Sequence, residues 1–219
     1  MSVRYELLCR CPHTGARRGR LHTASGRVEL PAFMPVGTQG TVKTLGSEDL
    51  EGMGFEQVLS NTYHLALRPG EGLVERMGGL HKFMSWRGSI LTDSGGYQVM
   101  SLSDMNKVSD EGVIFKSHLD GTEMNLTPEK SIQIQGALGV DISMMLDQCP
   151  PYPCSREEAA EAMRRTHLWA PRNLAAAREE QAVFGIVQGG VHEDLRKESA
   201  GFMSSLPFAG LAIGGVSVG

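Results

Sequence analysis

The sequence predicts an α/β protein in which short parallel strands are covered by helices. Three observations carry that expectation. The runs GSILTD (88–93), VDISMMLD (140–147), VFGIV (183–187) and LAIGG (211–215) are apolar without alternating polar positions, as strands buried on both faces require. Helical patterns lie between them and supply the crossovers. A polar or glycine-rich element closes each strand, at Asn61, Asp93, Asp147, Gln188 and Gly214-Gly215. Ligands gather at this end of the strands both in closed (β/α) barrels and in open α/β sheets, so one site is expected there.

The elements follow in order. Residues 1–45 read as short strands and turns, YELLCRC and then GRLHTASGRVELPAFMPVG, punctuated by Gly and Pro. From residue 46 to 219 helices and strands alternate. Ser47 precedes a short helix with acids in its first turn, and FEQVLS (55–60) is a strand ending at Asn61. GEGLVERMGGLHKFM supplies helical pieces before GSILTD. VIFKSHLDGTEMNL (113–126) is a hairpin around Asp120-Gly121. Thr127 caps the next helix, Pro128 takes its first position and Gly139 stops it. Ser155 and Glu158 form a capping box for a long helix that Pro171 should kink or break. VFGIV, the helix HEDLRKESAGFMSS and the strand FAGLAIGG complete the pattern.

Composition narrows the functional classes. The chain has 219 residues, 41% of them hydrophobic and 21% charged, enough for a sizeable core. No apolar run reaches the roughly 18 residues of a membrane span, and the N-terminus MSVRYELLCRC lacks a secretory core, so a cytoplasmic location is expected. The four cysteines, Cys9, Cys11, Cys149 and Cys154, read as free thiols of a reducing compartment. Cys9 and Cys11 stand too close together for a structural zinc knuckle. A net charge of −4 excludes a whole-surface nucleic-acid binder, and Arg10, Arg17, Arg18 and Arg20 read as a solvated cluster.

Each polar strand end has a structural reading. Asp-Ser-Gly-Gly is good turn chemistry, and Gln188-Gly189-Gly190 is a plausible loop. Together they suit a ligand. Two carboxylates repel phosphate, and no Gly-rich loop here carries the lysine of a phosphate cradle. A metal would need an oxygen-only site, since no His stands at these strand ends. A purine-like base fits better. Guanine presents N–H donors to a carboxylate, a carbonyl to a donor, and a flat face to an aromatic such as Tyr97.

The segments PVGTQGTVKTL (35–45), SNTYHLALRPG (60–70), LTDSGGYQVMSL (91–102), the stretch from Asp120 to Gln135, LDQCPPYP (146–153), FGIVQGGVHEDLR (184–196) and LAIGGVSVG (211–219) resemble, in order, those of the tRNA-guanine transglycosylases, or queuine tRNA-ribosyltransferases, of the bacterial type. The resemblance implies a TIM (β/α)8 barrel, cut here after about six strands, with an N-terminal antiparallel β region; residues 1–219 would be one incomplete barrel domain. It implies replacement of guanine at the wobble position of tRNAs with GUN anticodons by a 7-deazaguanine (7-aminomethyl-7-deazaguanine or queuine) in queuosine biosynthesis. It also implies tRNA and the base as partners, and pairing of two copies of the chain. Asp93 would be the acid/base carboxylate. Ser94, Gly95, Gly96 and Tyr97 would line the pocket, with Tyr97 stacking on the base and the glycines letting it slide close. Asp147 would grip the donor edge of the purine, and Gln188 and Gly189 would meet its carbonyl. Gly215 and Val216 would contact the substituent side through their backbone, although many relatives carry Leu where Val216 stands.

The sequence ends at Gly219, whereas a complete barrel needs about 250 residues. The resemblance places the nucleophilic aspartate and the Cys3His zinc site beyond that point, so no cofactor or metal is expected here. Breaking a glycosidic bond with retention needs a nucleophilic carboxylate besides the group that manages the base's proton. Asp93 can serve only the second role. The expectation is an N-terminal piece of an enzyme, inactive alone. The alternatives are a short chain completed by a partner, and a non-catalytic accessory or tRNA-binding subunit. A zinc deaminase on the same scaffold would need His and Cys ligands at strand ends, and none is placed so.

Overall fold

The computed structural model describes residues 3–102 and 106–216; the last three residues of the LAIGGVSVG stretch lie outside them. Strands β1 (Arg4–Arg10), β2 (Arg17–Thr23) and β3 (Gly26–Leu30) form an antiparallel sheet. Next come α1 (Ser47–Gly52), β4 (Gln57–Ser60), α2 (Thr62–Leu67), α3 (Glu71–Arg76), α4 (Leu80–Met84), β5 (Ser89–Thr92) and α5 (Gly96–Leu102). A second antiparallel sheet, β6 (Lys107–Val108), β7 (Val113–Lys116) and β8 (Glu123–Leu126), precedes α6 (Pro128–Leu138) and β9 (Ile142–Met144). Then follow α7 (Arg156–Ala176), β10 (Val183–Val187), α8 (Glu193–Ser204) and β11 (Gly210–Ile213).

The central sheet has the order β11-β10-β9-β5-β4, and every neighbouring pair in it is parallel. Neighbours in space are therefore consecutive in the chain, with no reversal of order. A doubly wound sheet reverses at its switch point, so that alternative does not describe this chain. The central strands number five among the described residues, where about six were expected. Helices α3, α6, α7 and α8 pack neighbour to neighbour, and two apolar clusters lie between helices and sheet. Leu65, Ile90, Leu138 and Trp169 belong to one cluster; Ile132, Met145, Ile186 and Met203 belong to the other.

Local signals explain most elements. Thr127 Oγ1 accepts from Lys130 N, Pro128 opens α6, and Gly139 ends it with φ of 67°. Ser155 and Glu158 cap α7 reciprocally. Gly46, not Ser47, caps α1, its N–H donating to Asp49 Oδ2 at 2.8 Å. Helix α7 runs unbroken past Pro171, contrary to expectation. Asn173 pins that turn: its Nδ2 donates to Trp169 O at 2.9 Å while its Oδ1 accepts from Leu146 N at 2.8 Å. The buried anchors on either side of the proline offset its missing N–H. Strand β11 also departs from expectation. It stands at an edge of the sheet with Leu211 41% and Ile213 70% exposed, so it is not buried on both faces.

On the β5 side the C-terminal half of β9 is held by side chains instead of a long ladder, while Met144 pairs with Phe184 of β10 on the other side. Its pairing with β5 covers only Leu91↔Ile142 and Thr92↔Ser143. Beyond that, buried Gln135 of α6 accepts from Met144 N at 2.8 Å and donates to Met144 O at 2.9 Å. Asn173 holds Leu146 N, and Thr166 Oγ1 accepts from Gln148 N at 3.0 Å. Side chains of α6 and α7 thus fix the segment that carries Asp147.

Candidate base-binding site

Asp93 follows β5, and its carboxylate is the centre of a dense network. Oδ2 accepts from Asn61 Nδ2 at 2.5 Å and from Gln98 Nε2 at 2.6 Å, and Oδ1 accepts from Thr62 N at 2.8 Å. Thr62 Oγ1 also donates to Asp93 O at 2.6 Å. The side chain is fixed from β4's end, from the first turn of α2 and from α5. Burial raises its pKa above the ordinary carboxylate range; the hydrogen bonds from Asn61, Thr62 and Gln98 oppose that without cancelling it.

Asp147 lies at the next strand end and is 7% exposed. Burial pushes its pKa up to about 6; the charge of Asp93 adds to the rise, and the hydrogen bond from Gln188 works against it. Gln188 Nε2 donates to Asp147 Oδ2 at 2.6 Å, whereas Gln188 Oε1 is buried without a partner among the described residues. Cys149 closes this corner. Burial, followed by the charge of Asp147, pushes its thiol up to about 11, so it sits there as an S–H.

The residues singled out from sequence divide into three groups. Asp93, Ser94, Gly95, Gly96, Asp147, Gln188 and Gly215 come together. Ser94 Oγ accepts from Gly96 N at 3.2 Å, and Ser131 Oγ donates to Ser94 O at 2.7 Å. Gly215, with φ of 73°, would place a Cβ 3.2 Å from Gln188 Oε1. Tyr97 and Val216 stand at the rim, 51% and 69% exposed. Tyr97 lines an adjoining cleft of about 420 Å³ together with Cys149, Pro150 and Tyr152. Gly189 packs its bare Cα against α8, with φ of 124° and a would-be Cβ only 2.7 Å from Arg196 N.

The glycines after Asp93 also serve the packing. A Cβ on Gly95 would lie 3.2 Å from Tyr63 N, and one on Gly96 would lie 3.0 Å from Asp147 O. They let α2, α5 and the end of β9 approach one another, which brings the two carboxylates together. Sequence reading missed Thr62, Gln98 and Cys149, and took Asn61 only as a strand end. The one available signal was their adjacency to strand ends. No group of three or more His, Cys, Asp or Glu that could hold a metal ion is found among the described residues.

Two carboxyl groups with raised pKa, one clasped by donors and one buried against a carboxamide, are suited to proton transfer beside a hydrogen-bonding heterocycle. The family described as Queuine tRNA-ribosyltransferase matches residues 11–219. A Queuine tRNA-ribosyltransferase of Listeria welshimeri is 56% identical over 220 residues, covering 100% of this chain and 58% of that protein. The namesakes of Halalkalibacterium halodurans and Symbiobacterium thermophilum are 54% and 55% identical, across 100% of this chain and 58% and 55% of theirs. The chain therefore spans somewhat under three-fifths of the length of the curated relatives it matches. With residues 11–219 matched by the family and relatives of 54–56% identity along the whole chain, the chain belongs to the queuine tRNA-ribosyltransferase family.

Proposed function

We propose that this chain forms the base pocket of a tRNA-guanine transglycosylase, which exchanges guanine at the wobble position of tRNA for a 7-deazaguanine. The observation that carries the reading is Asp147, a buried carboxylate braced by Gln188 beside a second acid, Asp93. Asp147 accepts the paired N–H donors of a guanine edge. The second N–H of Gln188 Nε2 donates to the base carbonyl. Tyr97 covers the flat face from the rim.

Asp93 manages the proton of the leaving and arriving base. Departure of guanine breaks the bond from ribose C1′ to the base nitrogen, and that nitrogen needs a proton. Arrival of the new base returns a proton. A carboxyl with a raised pKa, held by three donors, suits both directions. The carboxylate that attacks C1′ comes from the part of the relatives that this chain does not span. The five consecutive parallel strands would be five of the eight in a (β/α)8 barrel, and the exposed edge at β11 would take the next strand.

Labelled-guanine exchange into a tRNA with a GUN anticodon tests this reading. It is run with the 219-residue chain and with a chain continued to the length of the relatives. Exchange is expected from the longer form. There Asp93→Ala abolishes turnover, and Asp147→Ala raises the KM for base at least tenfold. Normal exchange by the Asp93→Ala protein would refute the acid/base role.

A further inference from the structure

Gln188 is the last polar group in a chain of contacts that begins outside the pocket. Its backbone N–H donates to Ser199 Oγ at 3.0 Å, and Ser199 Oγ lies 3.1 Å from His167 Nε2. Ser199 is fully buried in α8, and His167 belongs to α7. The carboxamide of the same glutamine donates to Asp147. Four residues therefore run from the helix layer to the acid at the strand end.

The geometry around Gln188 makes this anchor important. Gly189 and Gly190 follow with φ of 124° and 56°, so the chain turns away at once and no ladder continues past Gln188. A Cβ on Gly214 would lie 2.5 Å from Gln188 Nε2, so the carboxamide is pressed against bare backbone on one side. Its Oε1 has no partner among the described residues. The carboxamide could turn over unless its backbone and neighbours hold it.

The hydroxyl of Ser199 is a rotor. It can serve Gln188 N–H as an acceptor only if a lone pair faces that way, which requires its own hydrogen to point elsewhere. A neutral imidazole accepts that hydrogen at Nε2. Burial lowers the pKa of His167, against the pull of Glu198, which favours the neutral ring. The ring itself is fixed by stacking on Phe202, with centroids 4.3 Å apart and planes 23° apart.

We propose that His167 and Ser199 are positioning residues for the base-binding site, orienting Gln188 from the helix layer so that its carboxamide presents to Asp147 and to the carbonyl of a purine base. Neither residue touches the base. The role of Gln188 toward the base rests on the function proposed above.

The test uses the whole 219-residue chain, with guanine as the probe and two readouts: the guanine dissociation constant and the backbone amide resonance of Gln188. His167→Phe keeps the stack on Phe202 and removes the acceptor, whereas His167→Gln returns a hydrogen-bonding group at similar reach. Ser199→Ala and His167→Phe are each expected to weaken guanine binding about five- to tenfold and to move the Gln188 amide in the same direction. His167→Gln is expected to bind within about twofold of the parent. The double substitution should lose no more than Ser199→Ala alone, because both act along one path. Guanine binding and a Gln188 amide unchanged by His167→Phe overturn the proposal, as do losses that add in the double substitution. If the parent chain binds no guanine, the base-pocket reading falls. The relay then stands or falls on the Gln188 amide, supported by movement in both variants and overturned by none.

Discussion

The two ends of β9 carry two buried aspartates in opposite conditions. Asp141, just before the strand, accepts from Ser25 N and Ile90 N at 2.8 Å each, and its Oδ2 lies 3.0 Å from His81 Nε2. Burial pushes its pKa upward, but the bonds from His81, Ile90 and Ser25 outweigh it and hold the group below the ordinary range. Asp147, just after the strand, has Gln188 as its main donor and a second acid nearby, and it rises to about 6. One carboxylate is satisfied by the protein and ties the N-terminal sheet to the strands. The other is left short of donors, as a group awaiting a ligand would be. The difference separates an end built for stability from an end that carries the proposed base site, at a cost in stability.

The contrast can be broken by substitution. The largest effect is expected from Asp141→Ala, which strands two backbone N–H groups and the His81 ring. It should lower unfolding free energy by about 3 kcal/mol, read by urea denaturation. Asp147→Asn should act with the opposite sign. A carboxyl raised to about 6 from its ordinary 3.8 is most favourable below about pH 4 and loses that advantage as pH rises through about 6. Removing the charge should therefore stabilise the protein at pH 7, on the order of 1–3 kcal/mol, while weakening guanine binding.

The same linkage gives a sharper form. The stability difference between Asp147→Asn and the parent should grow from pH 4 to pH 6 and then level. A flat difference across that window would show that Asp147 is not held in an unfavourable charged state. For Asp141 the window lies lower, since its contribution is present above the ordinary carboxylate range and is lost as pH falls through its depressed pKa. The smallest effect is expected from His81→Ala, about 1 kcal/mol, because Asp141 keeps its two backbone donors.

Much of this was legible in the sequence where local chemistry decides. Thr127, Pro128, Gly139, Ser155 and Glu158 announce the ends of two helices, and both are observed. Asp93, Asp147 and Gln188 were readable as polar stops to apolar runs. Helices α2 and α5 were not readable. Asn61 stands at the cap position of α2, yet its side chain donates to Asp93 and makes no cap bond. Helix α5 begins at a glycine inside what reads as a turn. In both places the site's needs override the local signal, so Thr62 and Gln98 could not be recognised as partners of Asp93. Pro171 misled for a related reason. The tertiary anchors of Trp169 and Asn173 are invisible to a rule about one residue.

The amides of Gln135 and Asn173 have a dynamic consequence. Met144 N–H and Leu146 N–H are closed off by side chains that belong to helices, so their hydrogen–deuterium exchange should follow the opening of α6 and α7 and not the fraying of a three-residue strand. The stretch leading to Asp147 then opens on the helices' clock, slowly, although its own ladder is among the shortest in the sheet.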